Sequence, residues 1–111
     1  QVEHPHVLTL GRNSDPAHIL ASREWLAEQG ISVHETNRGG DVTYHGPGQL
    51  VGYPIIHLGD WRKDVRAFVE AIETAVVRTL AGFRVTAYPR AGKETGVWVD
   101  LPTGEPAKIC A

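Results

Sequence analysis

Arg38-Gly39-Gly40-Asp41-Val42-Thr43-Tyr44-His45-Gly46-Pro47-Gly48-Gln49 is the most biased stretch of the chain, and Leu50-Val51-Gly52-Tyr53-Pro54-Ile55-Ile56 follows it directly. Four glycines and a proline are packed among Arg38, Asp41, Thr43, Tyr44, His45 and Gln49. Glycine admits positive φ and close approach of a second backbone or a ligand. Pro47 fixes φ and removes a donor. Such a run is expected to be neither an ordinary helix nor an ordinary strand. The apolar, β-rich residues 50–56 behind it are expected to form a buried strand. A glycine cluster alone suits a long structural turn equally well. The polar residues favour a ligand site, because Arg38 beside bare N–H groups can meet a carbonyl, carboxylate or phosphate. His45 can donate, accept or shuttle a proton.

Outward from the loop, Ile31 to Thr36 alternates apolar and polar, a half-buried strand that delivers the chain to Arg38. Val7 to Leu10, ending at Gly11, reads as a buried strand, and Arg12 to Pro16 as a loop. Ser22 caps a short helix through Trp25, Leu26 and Gln29 that stops at Gly30. Downstream, Val65, Phe68, Val69, Ile72, Val76 and Leu80 recur at helical spacing, with Asp64 as cap and Gly82 as stop. The charges Arg66, Glu70, Glu73 and Arg78 read as the solvated face of that helix. Val85 to Tyr88 reads as a strand stopped by Pro89, and Gly96 to Asp100 as another. After a turn over Leu101 to Pro106, Ala107 to Ala111 pairs back as a hairpin. Mixed strands with one long helix predict an α+β fold, a mixed β-sheet with packed helices, in a single domain over residues 1–111.

The composition bounds the function. A hydrophobic fraction of 41% and a charged fraction of 22% are those of a globular domain. Eleven basic against thirteen acidic residues exclude nucleic-acid binding driven by overall positive charge. No apolar run has the length of a membrane helix. A single cysteine excludes an internal disulfide framework and suits a reducing, cytoplasmic setting. Six histidines show no His-x-x-x-His or cysteine partner spacing, so no metal site is expected. Trp25, Trp61 and Trp98 read as core or anchoring residues. With no methionine and a last strand that reads as cut off, the chain is expected to be an internal part of a longer domain, truncated at both ends.

Arg-Gly-Gly-x-x-Thr-Tyr-His-Gly-Pro-Gly-Gln over Arg38 to Gln49, followed by an apolar run, resembles the signature of the octanoyltransferases of lipoate biosynthesis. Val2-Glu3-His4-Pro5 leading to Val7 through Arg12, then Tyr88-Pro89-Arg90, Gly96-Val97-Trp98-Val99 and Lys108-Ile109-Cys110-Ala111, fall in the family's order, so the resemblance spans essentially the whole chain. It implies the fold shared by biotin and lipoate protein ligases, here incomplete. It implies transfer of an octanoyl group from an acyl carrier protein thioester to a lysine amine. The acceptors would be lipoyl domains of 2-oxoacid dehydrogenase complexes and the glycine cleavage protein. It implies a cysteine acyl-enzyme that would carry the group, with no nucleotide, metal or other cofactor.

The resemblance places Lys108 as the catalytic lysine, whose ammonium stabilises the thiolate of its partner cysteine. Arg38, Gly39, Gly40, Asp41, Val42, Thr43, Tyr44 and His45 would bind substrate. Tyr53 either walls the acyl chain or sits in the core, the core role being the simpler reading. Lys108 and Cys110, two apart on a strand, are expected side by side on one face. The family's nucleophile, however, sits in a Pro-Cys-Gly context beyond this sequence, so Cys110 reads as a small apolar neighbour and the nucleophile as missing from the chain. The competing readings are an ATP-dependent lipoate or biotin ligase of the same fold, and a non-catalytic module that binds acyl carrier or lipoyl domains.

Overall fold

The computed structural model describes residues 1–111, the side chain of Lys93 excepted. The fold is α+β, and the chain divides into two compact units, Gln1–Ile55 and Ile56–Ala111.

The first unit is built on β2, Val7–Leu10, whose Val7 and Leu10 are buried. β3, Ser32–Glu35, runs parallel to it, with Val7 opposite Ser32 and Leu10 opposite Glu35. β4, Val42–His45, runs antiparallel along the other edge, with Val7 opposite His45 and Leu10 opposite Val42. The order β3-β2-β4 is therefore a mixed sheet. Parallel neighbours need a crossover, and residues 11–31 supply it. A 3-10 turn over Pro16–His18 is capped by Asp15, and α1, Arg23–Glu28, is capped by Ser22 Oγ accepting from Trp25 N–H. Gly30 at φ +67° ends α1 as the sequence predicts, and Leu26 is buried. A short ribbon pairs β1, Val2–Glu3, with β5, Leu50–Val51.

Two expectations fail here. Val42–His45 is a regular strand although glycines flank it on both sides, because Val42, Thr43 and Tyr44 are β-formers and β2 supplies the partner. The predicted buried strand over residues 50–56 shrinks to Leu50–Val51, and Leu50, Tyr53 and Ile55 are exposed. Gly52 and Pro54 break the ladder, since proline has no N–H to pair.

In the second unit α2, Val65–Gly82, begins at Asp64, whose carboxylate accepts from Ala67 N–H at 3.0 Å. Phe68, Val69, Ile72, Val76 and Leu80 form its half-buried stripe, while Val65 lies outside it, 65% exposed. The helix packs on an antiparallel sheet of β6, Tyr88–Arg90, β7, Gly96–Asp100, and β8, Pro106–Cys110, in that order. Val97 is fully buried.

Glu73 is not on the solvated face, since its carboxylate accepts from Gly96 N–H at 2.9 Å. Gly82 is the last helical residue rather than the stop. The left-handed position falls to Arg84 at φ 61°, with Val85 N–H closing on the Leu80 carbonyl at 3.0 Å. Pro89 lies inside β6 rather than ending a strand before it; β6 is a sheet edge, where a missing N–H costs little.

Candidate functional site

In the first unit the site grows from the shared end of β2 and β3. Thr36 N–H donates to the Leu10 carbonyl at 2.9 Å, so both strands leave the sheet together. The chain then doubles back against the exit of β2: Arg12 N–H reaches the Arg38 carbonyl at 2.9 Å and Gly11 N–H the Asp41 carbonyl at 3.3 Å. A Cβ on Gly11 would strike the Gly40 carbonyl oxygen, and Gly40 itself sits at φ +87°. This close approach is what the glycines are for.

Arg38 turns inward across β2. Its NH2 donates to the Thr9 carbonyl at 2.6 Å and to Thr9 Oγ1 at 2.8 Å, Nε donates to Oγ1 at 3.1 Å, and NH1 donates to the Gly39 carbonyl at 3.0 Å. The guanidinium fork thus fastens loop to strand. Asp41 faces His18, with Oδ2 2.5 Å from Nδ1. A hydrogen bond from the Val42 backbone, more than the His18 contact, holds the Asp41 carboxyl below its ordinary value against a smaller opposing effect of burial.

Alternation along β4 separates the predicted residues. Thr43 and His45 share a face with Val7 and Thr9, whereas Val42 and Tyr44 share the other with Leu8 and Leu10. The first face carries a groove of about 440 Å³ lined by His4, Thr9, His34, Arg38, His45 and Tyr53, among others. Tyr53 is therefore a groove wall and not a core residue. Tyr44 turns away, its hydroxyl 2.5 Å from His6 Nδ1. Gly39, Gly40 and Asp41 shape the loop without lining the groove. Thr9, His4 and His34 are the groove residues the sequence reading passed over. Thr9 had a signal, the one polar residue of the apolar strand Val7–Leu10; His34, in the mostly polar Ser32–Glu35, had none.

In the second unit Lys108 sits opposite Trp98 on β8. Its Nζ lies 5.1 Å from the Trp98 ring centroid and donates to the Thr95 carbonyl at 3.1 Å. The Arg90 guanidinium lies 4.5 Å from the same ring, and Trp98 Nε1 donates to the Glu94 carbonyl at 2.9 Å. Cations over an indole face are attracted by its quadrupole. Tyr88, then Glu94, raise the Arg90 guanidinium above its ordinary value. Gly96 lets the end of β8 approach, since a Cβ there would strike the Cys110 carbonyl oxygen and lie 3.3 Å from Lys108 Cδ.

The expectation for Lys108 and Cys110 is corrected. A bulge shifts the register, so that Lys108 pairs with Trp98 but Cys110 pairs with Val97. Trp98 and Val97 point to opposite faces of β7, and so do their partners. The side-by-side arrangement would need an unbulged strand. Among the described residues no group of three or more His, Cys, Asp or Glu side chains is placed to hold a metal, and no helix is long and apolar enough to cross a membrane.

Comparison with known proteins gives one consistent result. The lipoyl protein ligase A/B catalytic domain matches residues 1–111. The chain is 56% identical over 98 residues to an octanoyltransferase of Solibacter usitatus, covering 88% of this chain and 44% of that one. It is 46% identical over 110 residues to one of Flavobacterium psychrophilum, covering 99% and 47%. It is 52% identical over 119 residues to one of Acidobacterium capsulatum, covering 99% and 48%. The chain spans about half the length of these curated relatives.

Proposed function

Since the chain belongs to the lipoyl protein ligase A/B catalytic domain family, we propose that it is part of an octanoyltransferase of lipoate biosynthesis. The observation that carries this reading is the likeness over 99% of the chain to relatives named octanoyltransferase. In the proposed reaction a cysteine thiolate, supplied by sequence beyond Ala111, attacks the thioester of octanoyl-acyl carrier protein. The carbon–sulfur bond to the carrier breaks and an acyl-enzyme forms. The lysine amine of a lipoyl domain, in a 2-oxoacid dehydrogenase complex or the glycine cleavage protein, then attacks that acyl carbon. An amide results and the thiolate is released. A thioester is already activated, so the reaction calls for no nucleotide, metal or other cofactor. The setting is cytoplasmic.

Each set of residues has a part in this reading. Lys108 supplies an ammonium that favours the thiolate and the oxyanion of the attacked carbonyl. The groove beside Arg38, Thr43 and His45 takes the octanoyl chain, with Tyr53 as a wall. Gly39, Gly40 and Asp41 hold the loop in shape, and Val42 and Tyr44 support it from behind.

Intact-protein mass spectrometry tests the reading. The protein is incubated with octanoyl-acyl carrier protein and then with a lipoyl domain, without ATP. A transient octanoyl adduct on a cysteine after residue 111, passed on to the lipoyl lysine, is expected, and Cys110→Ser should leave both steps intact. Transfer only from free octanoate and only with ATP would instead identify a ligase, which the family's name also embraces. Binding of the carrier with no adduct would leave a non-catalytic module.

A further inference from the structure

His45 is held by the turn that follows it. Gln49 N–H donates to the Gly46 carbonyl at 3.1 Å, and Gly48 donates its own N–H to Glu3 Oε1 at 2.9 Å. The reversal brings the Gln49 amide back over β4. Its Nε2 donates to the Tyr44 carbonyl at 3.5 Å, and its Oε1 lies 2.6 Å from His45 Nδ1. Turning the amide over would set its oxygen against the Tyr44 carbonyl oxygen, acceptor against acceptor. Oε1 therefore faces the ring. A carbonyl oxygen only accepts, so the proton of the neutral imidazole sits on Nδ1 and the lone pair on Nε2.

The other polar groups of the groove differ. Arg38 offers only donors, already engaged with Thr9 and the Gly39 carbonyl. His4, whose ring centroid is 5.6 Å from that of His45, and His34 have no side-chain hydrogen bond fixing a tautomer among the described residues. His45 is the histidine of this groove whose proton has an assigned place.

We propose that Gln49 is a positioning residue that locks His45 in the Nδ1–H tautomer, so that Nε2 offers the groove a proton acceptor for the amine of an acyl acceptor. This rests on the acyl-transfer reading above. As the amine nitrogen bonds to the acyl carbon and the carbon–sulfur bond breaks, one N–H proton passes to His45 Nε2. The imidazolium returns that proton to solvent and the thiolate departs as the anion, so the imidazole ends neutral. The reacting amine is thus taken up neutral, and no further reagent is consumed.

Nitrogen-15 NMR of the histidine-labelled full-length protein reads the tautomer directly. The expected wild-type pattern, in the neutral form, is an unprotonated-type shift at His45 Nε2 and an N–H-type shift at Nδ1. Gln49→Leu removes the acceptor and should move Nε2 toward the protonated type. Gln49→Glu loses the donor to the Tyr44 carbonyl but keeps an acceptor oxygen within reach of Nδ1, so it should keep the wild-type pattern in the neutral ring. An N–H-type Nε2 in the wild type overturns the proposal, and that spectrum decides even if Gln49→Leu fails to fold. Kinetics then separate the two readings. The step that consumes the lipoyl lysine should slow at least about tenfold in Gln49→Leu, with formation of the acyl-enzyme unchanged. Gln49→Glu should recover it. An unchanged amine step with the expected tautomer removes the lone pair from the reaction. A wild-type protein that never carries an octanoyl group refutes the function itself, and the amine role with it, while the tautomer assignment stands on its own spectrum.

Discussion

Gly40 lays its carbonyl oxygen against Gly11 where any β-carbon would have to go, so the end of β2 and the Arg38–Asp41 loop close on each other only as a pair of glycines. Gly11→Ala should push the loop off the strand and destabilise the protein by about 1–3 kcal/mol, the range for a forced overpacking. Gly39→Ala is the control, because nothing lies within 4 Å of a Cβ there. Urea titration of both variants checks this, and equal stabilities would show that the loop yields freely.

Arg38→Lys should behave as a loss of geometry, not of charge. Lysine keeps the cation but cannot span the Thr9 carbonyl and Thr9 Oγ1 together as the guanidinium does at 2.6 and 2.8 Å. About 1.5–3 kcal/mol of stability should go, the range for hydrogen bonds to charged groups. Thr9→Val, which deletes the hydroxyl, should lose less, and its effect should shrink in the Arg38→Lys background. Strict additivity of the two would mean that they do not act through one contact.

Asp41 makes stability depend on acid. Its folded carboxyl is depressed below 3.8, so the ionised form is favoured by folding. That contribution is fully present above the unfolded value and disappears as pH falls through the folded one. Wild type should exceed Asp41→Asn by a constant margin at neutral pH, and the margin should close below pH 3.8. A margin unchanged into strong acid would assign the effect of the substitution to something other than charge.

Lys108→Met should abolish acyl transfer by about 10²–10³-fold while the fold survives, because the side chain lies at an exposed strand position. Trp98→Leu removes the ring beneath the ammonium and should cost less than Lys108→Met, whereas Trp98→Phe should retain most of the rate. Steady-state transfer assays with circular dichroism on each sample decide it. A fully active Lys108→Met protein would take the lysine out of the reaction.

The glycine at the end of α2 is two residues from where the backbone wants it. Gly82 is helical with open space around its Cα, while Arg84 carries φ 61°. Gly82→Ala with Arg84→Gly should raise stability by roughly 1 kcal/mol in sum, since alanine favours helix and glycine relieves the left-handed position. Thermal melts of the two single variants and the double variant measure it.

These cases also show what the sequence made legible. Caps and periods carried through: Ser22, Asp64, the α2 stripe and the strands at Val7 and Gly96 lie where their chemistry puts them. Pattern misled where neighbours decide. Val42–His45 looked like loop because glycines surround it, yet β2 supplies the ladder that makes it a strand. Residues 50–56 looked like core because they are apolar, yet Gly52 and Pro54 deny them a partner. Glu73 looked solvated because its neighbours on the helix are, and only the Gly96 N–H across the sheet reveals its use. At the site, the motif located the loop, but which of its side chains face the groove depended on the β2–β4 register. That register is a tertiary fact.

The bulge in β8 gives the molecule an experimental handle. Because one extra residue inverts the alternation, the only thiol of these 111 residues is displayed on the reverse of the surface that bears Lys108. A fluorophore or spin label attached there would act as an observer posted behind a wall. It would sit beside Val97 and leave the Lys108–Trp98 side of the sheet uncovered.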